Sequence, residues 1–458
     1  MKLGGNGFFF ESFFGRILSP FEKFLRGTTA GGVVLLATVV ISLALANSGA
    51  NEHIFGIWDK TLGIGIGSWR LEMTLHNWVN DGLMSLFFLL VGLELKRELM
   101  VGELSSRKEA ALPVAAALGG MLVPALIYWM INPAGPEAKG WGIPMATDIA
   151  FAVGILVLLG RRIPPALVIF LTALAIADDL GAVAVIAVFY TGEIVSSALM
   201  GSAATLLLLF ILNRGGIRHP LPYAVIGFFL WLSMLKSGVH PTITGILLAW
   251  CIPAKSSFTP PQFAGRIEQL QEELQEESID PYACDHAISC PRMARVAENL
   301  ERAARAVQSP LQHLEHTLSP WVTFAILPIF AFSNLGIDFS KVSLHGGSSS
   351  IAVGIILGLV VGKPVGITLF SLLAVRLRIG RLPKGVKWRQ IIGVGCLGGI
   401  GFTMSIFISN LAFKGHGYPN EAKAGILAAS LLAGALGLGL LYFGKRGKHR
   451  ELSLKKRD

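Results

Sequence analysis

Five ionisable side chains stand inside stretches that are otherwise apolar enough to cross a membrane: Asp81, Asp148, Asp178, Asp179 and Lys363. A charged group near the centre of a bilayer costs about 2.5–3.5 kcal/mol, so such groups persist mainly where they pair or act on ions. One aspartate and one lysine would make a structural ion pair between two helices. Four aspartates against one lysine exceed that need, and the imbalance favours an ion-handling function.

Two of these carboxylates, Asp178 and Asp179, are adjacent in the sequence Ala-Ile-Ala-Asp-Asp-Leu-Gly. Neighbouring helical residues point about 100° apart, so one carboxylate can line a cavity while the other faces a different helix. Burial and mutual repulsion favour the protonated form of a carboxyl, whereas a nearby cation favours the ionised form. Carboxylate oxygens also suit hard cations. The pair is therefore predicted to bind either protons or a cation such as Na⁺, which is the minimal chemistry of an exchanger.

The backbone is interrupted in two of the predicted spans. Gly142 and Pro144 break one span shortly before Asp148, and five glycines within 393–401 loosen another. Matched interruptions in corresponding spans of two halves indicate a binding site made of broken helices. A freed helix N-terminus carries partial positive charge that Asp148 can offset, and a freed C-terminus carries partial negative charge that Lys363 can offset.

The elements that must position these groups follow from composition. The chain has 458 residues, of which 53% are hydrophobic and 15% charged, whereas a soluble domain carries about 25% charge. This balance disfavours soluble enzymes, fibrous proteins and disordered chains. A spanning helix needs about 20 mostly apolar residues. The sequence predicts an all-α polytopic membrane protein with twelve transmembrane helices, at 28–46, 75–99, 108–132, 141–160, 163–190, 193–212, 221–236, 239–252, 318–334, 350–376, 388–412 and 421–443.

The positive charge is distributed unevenly about these spans. Most of the 39 lysine and arginine residues fall on one side, and an excess of these residues marks cytoplasmic loops. We therefore expect both termini in the cytoplasm and interpret the net charge of +10 as an orientation signal rather than a nucleic-acid surface. The four cysteines are too few and too scattered for a disulfide framework.

The chain is predicted to comprise five segments. They are an interfacial cytoplasmic helix at 1–27, spans one to eight at 28–252, a polar cytoplasmic helical hairpin at 253–317, spans nine to twelve at 318–443, and a basic cytoplasmic tail at 444–458. The hairpin contains Cys284 and Cys290, whose spacing fits no zinc pattern, so two free thiols are favoured over a metal site. The sequence does not indicate a role for the hairpin.

Several motifs occur along the chain in a fixed order, around the intramembrane charges and the glycine-rich break. They are 92–99 (GLELKREL), 147–152 (TDIAFA), 173–182 (ALAIADDLGA), 314–316 (LEH), 362–364 (GKP) and 401–407 (GFTMSIF). Together they resemble the NhaA family of bacterial Na⁺/H⁺ antiporters. The likeness runs from about residue 20 to residue 443 and is broken mainly by the hairpin.

The resemblance implies a fold with two inverted three-helix repeats, here spans 3–5 and 10–12, whose interrupted fourth and eleventh helices cross near the midplane. By match to the family motifs, Asp178 and Asp179 would be the cation and proton site. Lys363 would pair with Asp178 when no cation is bound, and Thr147 and Asp148 would lie at the crossing.

The resemblance also implies regulation and context. Glu94, Glu98, His240 and Glu315 match positions tied to the family's cytoplasmic pH response, and Asp81 lies in a matching stretch with a supporting role. The hairpin before Glu315 is much longer than in the most familiar member. We expect a homodimer in the bacterial inner membrane that transports Na⁺, Li⁺ and H⁺ and contacts the lipid bilayer. We expect no contact with nucleic acid and no resident cofactor.

The predicted function is transport rather than enzymatic catalysis: electrogenic, pH-regulated export of Na⁺ or Li⁺ in exchange for protons, by alternating access. A proton-coupled exchanger of K⁺ or an organic cation shares every physical feature above and remains open. An intramembrane aspartyl protease also needs two buried aspartates, but on different helices, and no Gly-x-Gly-Asp sequence is present. A passive channel is disfavoured because a lysine and several acids at one depth would trap ions.

Overall fold

The architecture is seen in a computed structural model, which describes residues 30–49, 51–67, 69–256, 258–275, 291–341, 347–414 and 419–443. The predictions made for the segments 1–27 and 444–458, and for Cys284 and Cys290, lie outside the described residues. Within them the chain is mostly helical, in agreement with the predicted class of membrane protein.

The secondary structure consists of helices numbered here in chain order. They are α1 (Ala30–Ala46), α2 (Asn51–Phe55), α3 (Leu75–Val101), α4 (Arg107–Ile131), α5 (Ile149–Leu158), α6 (Pro165–Phe189), α7 (Ser196–Arg214), α8 (Pro220–Ser237), α9 (Ile243–Cys251), α10 (Pro260–Gln275), α11 (Pro291–Val307), α12 (Pro310–Asn334), α13 (Gly347–Leu357 and, through a π-helical turn at Gly358–Gly362, Lys363–Arg376), α14 (Trp388–Gly398), α15 (Phe402–Ala412) and α16 (Pro419–Phe443). Short 3₁₀ segments lie at Glu103–Ser105, Pro136–Met145, Gly160–Arg162 and Phe339–Lys341.

Not every predicted span is long enough to cross a membrane. Among the described residues, nine helical segments have the length and apolarity required, and α14 with α15 forms a tenth that is bent by 46°. Two predicted spans are shorter: α1 has 17 residues and α9 has 9. Helix α8 ends at Ser237 and is followed by Gly238, whose φ of 84° is left-handed. Helix α9 begins after the turn that follows. Among the described residues, helix length and apolarity therefore account for ten of the twelve predicted spans.

The ninth predicted span begins earlier than its apolar residues suggest. Helix α12 starts at Pro310, inside the segment 253–317 that was predicted as hairpin. The Gln312 amide N–H donates to Ser309 Oγ at 3.2 Å, and the Ser309 N–H donates to Gln312 Oε1 at 3.3 Å. This reciprocal capping satisfies N–H groups at the helix start. A hydropathy window misses such a start because the first turns are polar.

A two-stranded sheet is the exception to the all-α prediction within the described residues. Strand β1 (Thr61–Ile66) pairs with β2 (Trp69–Thr74) in antiparallel register, with Thr61 opposite Thr74 and Ile66 opposite Trp69. The turn includes Gly67 at a φ of 64°, a conformation that tight hairpin turns require and glycine adopts freely. The chain is still mostly helical, in agreement with the predicted all-α class, and this hairpin is too short to register as a span.

The chain divides into two compact units. The described residues of the first come from 1–87, 98–192 and 322–458, and those of the second from 88–97 and 193–321. The first unit contains α4, α6, α13 and both interrupted spans, and therefore all the charged residues of the predicted transport site. The second unit contains α7 to α11 and the N-terminal part of α12.

Helices α4 and α13 of the first unit pack closely through glycines. A Cβ atom added at Gly119 would meet the carbonyl oxygen of Gly366, and one added at Gly366 would meet that of Gly119. Small residues allow two helix backbones to approach in this way. A Cβ at Gly120 would lie 3.7 Å from Lys363 Cδ. The Lys363 side chain therefore passes close to α4 and is fully buried.

Candidate functional site

The first interrupted span changes conformation at Asp148. A 3₁₀ segment at Pro136–Met145 is followed by extended residues, and α5 begins at Ile149. Pro144 has no backbone N–H to continue a helical ladder. Aspartate is a favoured N-cap residue, and Asp148 Oδ1 accepts a hydrogen bond from the Phe151 N–H at 3.2 Å. The local sequence therefore ends one helix and starts the next.

The second interrupted span is broken at glycines. Helix α14 ends at Gly398 and α15 starts at Phe402. A Cβ at Gly399 would collide with the Leu359 carbonyl oxygen. A residue without a side chain is therefore needed where the break passes α13. The two half-helices meet at the 46° bend noted above.

The two breaks are joined directly by hydrogen bonds. The Asp148 N–H donates to the Ile400 carbonyl at 2.7 Å. Asp148 Oδ2 accepts from the Thr403 N–H at 3.1 Å and from Thr403 Oγ1 at 2.5 Å. Thr147 Oγ1 lies 2.9 Å from the Gly398 carbonyl oxygen. Asp148 therefore lies at the N-termini of both α5 and α15, where its negative charge complements the partial positive charge of each helix end.

Beside this crossing lies a buried ion pair. Asp178, on the continuous helix α6, pairs through Oδ2 with Lys363 Nζ. Thr147 Oγ1 is 2.7 Å from the same carboxylate oxygen and 2.8 Å from the ammonium. All three side chains have an exposed fraction of 0%. Since the hydroxyl has one proton, it accepts from Lys363 and donates either to Asp178 or to the Gly398 carbonyl.

Lys363 pairs directly with a carboxylate. Its ammonium binds Asp178 and Thr147 rather than the freed C-terminus of α14, whose Gly398 carbonyl is within hydrogen-bond distance of Thr147. A full carboxylate charge attracts an ammonium more strongly than the roughly half charge of a helix end. The π-helical turn before Lys363 and the proline after it place this lysine at a local irregularity of α13.

Asp178 has one carboxylate oxygen that is available for a cation. Asp178 Oδ1 is buried and has no hydrogen-bond partner within the described part of the chain. Asp179, with 1% exposure, follows on α6 and interacts electrostatically with Lys363. Carboxylate oxygens and the Thr147 hydroxyl oxygen are donors that a hard cation can use. The arrangement can therefore hold an ammonium, a proton or a metal ion on the same carboxylate.

Asp81 lies in a different environment. It belongs to a π-helical turn of α3, Trp78–Leu83, and its charged neighbour is Lys414. Its backbone carbonyl accepts from Ser85 Oγ at 2.5 Å. The hydrogen bonds of the crossing are made instead by Thr147, Asp148 and their partners.

The four predicted pH-response residues are distributed over both units. Glu98 belongs to the first, where its Oε2 accepts from the Glu103 N–H at 3.1 Å. The other three belong to the second. There Glu94 is half-buried, His240 Nδ1 lies 2.7 Å from Thr242 Oγ1, and Glu315 pairs with the Nε of Arg97 at 3.1 Å.

Several functional contacts were not predicted from the sequence. Thr403 lies in a recognised motif, yet its bonds to Asp148 were not foreseen; its place in the first turn after a glycine break was the available signal. Arg97 stands between two predicted glutamates and binds a third, Glu315. Buried Lys96 donates to the Trp250 and Ile252 carbonyls at 2.8 and 2.5 Å, at the C-terminal end of α9.

A buried amide chain is a further unpredicted feature of the first unit. Asn410 Nδ2 donates to Asn334 Oδ1, and Asn334 Nδ2 lies 3.2 Å from Asn80 Oδ1. Asn334 is fully buried at the end of α12. Asparagines carry no charge to mark them in an apolar sequence, so their association was visible only in the fold.

The chain matches a known protein family and several of its members. A family model described as Na⁺/H⁺ antiporter 1 matches residues 22–441. The chain is 58% identical to the Na⁺/H⁺ antiporter NhaA of Syntrophobacter fumaroxidans, over 96% of this chain and 93% of that protein. It is 51% identical to the protein of the same name in Acidithiobacillus ferrooxidans, over 94% and 99% of the two chains.

A third relative is the Na⁺/H⁺ antiporter NhaA 2 of Syntrophotalea carbinolica, 48% identical over 92% of this chain and 96% of that protein. The family match covers nearly the whole chain, and the resemblance inferred from the motifs is confirmed. The apolar helices agree with a protein that crosses the membrane several times. The chain is therefore a multi-pass membrane protein of the Na⁺/H⁺ antiporter 1 family.

Proposed function

We propose that this protein exports Na⁺, and Li⁺, in exchange for protons, with Asp178 and Asp179 as the shared binding site. The observation that carries the proposal is the fully buried Asp178–Lys363 pair beside Thr147. The ammonium occupies one carboxylate oxygen while Asp178 Oδ1 has no partner among the described residues. The names of the relatives, Na⁺/H⁺ antiporters, support Na⁺ and H⁺ as the exchanged ions.

Exchange follows from competition for the same oxygens. With the site open to the cytoplasm, Na⁺ binds the ionised carboxylates and displaces the Lys363 ammonium or a proton. When the site opens outward, protons displace Na⁺, and the protonated site returns. Two carboxyls can load protons against one monovalent cation, so we expect net charge movement and a rate that responds to membrane potential.

The moving parts are proposed to be two inverted repeats of three helices, spans 3–5 and 10–12, which rock about the crossing of the interrupted helices. Counting α1 and α9 with the ten longer spans makes the total twelve. The positive-inside rule supports cytoplasmic termini in a bacterial inner membrane. Homodimer formation and a cytoplasmic hairpin at 253–317 are part of the same proposal.

Asp179→Asn tests the site directly, because an amide neither carries the charge that binds Na⁺ nor exchanges the proton. In proteoliposomes, we expect Na⁺-dependent dissipation of a pH gradient to be lost. Asp59→Asn, the same change at an exposed aspartate, should transport as the unmodified protein does. Full activity of Asp179→Asn would contradict the assignment, and equal competition by K⁺ would favour the broader cation exchanger.

Transport is also expected to rise with pH, since protons compete with Na⁺ for the carboxylates and Glu94, Glu98, His240 and Glu315 are proposed to sense cytoplasmic pH. Glu315→Gln removes the charge that holds Arg97 and should shift the pH at which transport is half-maximal while sparing the maximal rate. Glu301→Gln, which breaks an exposed pair with Arg305, is the matched control. Identical pH profiles for both variants would rule out a sensing role for Glu315.

A further inference from the structure

An apolar groove lies beside the crossing of the interrupted spans, within the first unit. It has a volume of about 460 Å³ and is formed by α1, α5, α16 and the break between α14 and α15. Of the described residues that line it, Ser430 alone has a polar side chain. Ser430 Oγ accepts a hydrogen bond from the Phe402 N–H at 3.3 Å at the start of α15.

The groove is elongated along the spans. Its lining runs from Gly32 to Leu43 on α1 and from Leu427 to Leu438 on α16. At 1.5 Å of rise per residue, each of these stretches is about 16 Å long. A length of this size is about half of the roughly 30 Å hydrocarbon core, which is the depth of one lipid leaflet. The shape therefore fits a single extended chain better than a compact ligand.

The groove opens toward apolar surroundings. Its rim includes Val40, Leu158 and Leu431, which are 60%, 66% and 63% exposed. All three lie on apolar helices of a membrane protein, and we expect hydrocarbon to face exposed apolar side chains of this kind. We propose that this groove seats one acyl chain of a membrane lipid.

The inner wall connects the groove to the transport site. Phe151 and Phe402 are in edge-to-face contact with ring centroids 5.2 Å apart. The Phe151 N–H donates to Asp148, and Phe402 precedes Thr403, which donates to the same carboxylate. An acyl chain against these two rings supports the joined breaks and resists their separation. This coupling rests on the proposed exchange cycle, whereas binding of the chain does not.

Two glycines allow the groove to be filled without disturbing its walls. A Cβ at Gly154, which lines the groove, would meet nothing within 4 Å. Gly434→Ala is a smaller change, because its Cβ would lie 3.6 Å from Ile155 and Ile400, an ordinary contact distance. Gly439, on α16 but not among the lining residues, also has open space around it. Gly154→Leu therefore tests whether the groove binds an acyl chain, and Gly439→Leu is its matched control.

The probe is a phosphatidylcholine with a photoreactive diazirine midway along one acyl chain, mixed into phosphatidylethanolamine and phosphatidylglycerol vesicles that hold the full-length protein. We expect labelling of Phe151, Ile155 and Phe402. Gly154→Leu should remove most of it, because the added side chain occupies open space in the groove that the acyl chain would fill. Gly434→Ala should reduce it less, and Gly439→Leu should leave it unchanged.

Labelling confined to rim residues, or equal labelling of Gly154→Leu and Gly439→Leu, would contradict the proposed acyl-chain site. Inner-wall labelling that appears only after deletion of residues 1–27 would assign the groove to that segment of the chain instead. In the same vesicles, Na⁺-dependent proton movement should vary with acyl-chain length in the unmodified protein and not in Gly154→Leu. Normal labelling without any transport would contradict the proposed function but would still support binding of an acyl chain in the groove.

Discussion

Asp148 and Asp178 are both buried aspartates of the first unit, but their carboxylates are used differently. Both oxygens of Asp148 accept hydrogen bonds, from Phe151 and from Thr403. Asp178 is bound through Oδ2 alone, to Thr147 and Lys363, while Oδ1 has no partner among the described residues. The partners of Asp148 are mostly backbone groups that the fold holds in place, whereas the ammonium that binds Asp178 ends a flexible side chain.

The contrast supports the proposal that Asp148 positions the two helix ends and that Asp178 exchanges its bound ions. A carboxylate that caps two helices is compensated by dipoles that do not leave. One compensated by a mobile ammonium can trade it for a proton or a metal ion. Burial alone does not make the distinction, because both residues are almost fully enclosed. The two residues are distinguished by the hydrogen-bond partners around each carboxylate oxygen.

Replacing each aspartate by asparagine should produce the largest difference. We expect Asp178→Asn to abolish Na⁺-dependent proton movement in proteoliposomes, because the amide cannot carry the exchanged charge. Asp148→Asn keeps one acceptor oxygen but turns an NH₂ group toward existing donors, at a cost of about 1–3 kcal/mol. It should therefore retain partial transport. The reverse ranking of the two variants would exchange the roles assigned here.

Removing the ammonium should have the next largest effect, on stability. Lys363→Met leaves the buried Asp178 charge uncompensated, and breaking a buried pair in this way costs about 3–5 kcal/mol. The free energy of unfolding in detergent would show the loss. Lys363→Met combined with Asp178→Asn should recover much of it, because no buried charge then remains. Equal instability of the single and double variants would mean that the pair is not what stabilises this region.

The smallest expected effect concerns the cap at Asp148. Thr403→Val removes one hydrogen bond to a charged group, worth about 1.5–3 kcal/mol, and keeps the side-chain shape and the backbone N–H donor. Thr403→Ser keeps the hydroxyl and should unfold at nearly the temperature of the unmodified protein. If valine and serine lower that temperature equally, the hydroxyl bond to Asp148 contributes little and packing explains the position.

Much of the site was predictable because charge inside an apolar span is conspicuous. Asp148, Asp178, Asp179 and Lys363 were identified on that basis, and the glycine and proline breaks predicted both interrupted spans. Thr403 was not assigned to Asp148, since 255 residues separate them and a threonine in a membrane helix is unremarkable. Local pattern identifies unusual residues but not their partners.

The fold shows the same limit. Apolar windows located most helices, because hydrophobicity over some 20 residues is a local property of the sequence. They missed the polar start of α12 at Ser309 and the β-hairpin at Gly67. Each of these depends on a few capping or turn residues whose effect on average hydropathy is small.

The sequence by itself determined the class of protein, its orientation signal, the intramembrane charges and the places where the backbone must break. These are local quantities: composition, period, and the chemistry of glycine, proline and ionised side chains. Only the tertiary structure decided that Thr147 contacts both Asp178 and Lys363, that Asp148 caps both α5 and α15, and that an apolar groove lies beside the crossing. Those outcomes depend on which helices lie side by side, and that follows from packing over the whole unit rather than from any stretch of sequence.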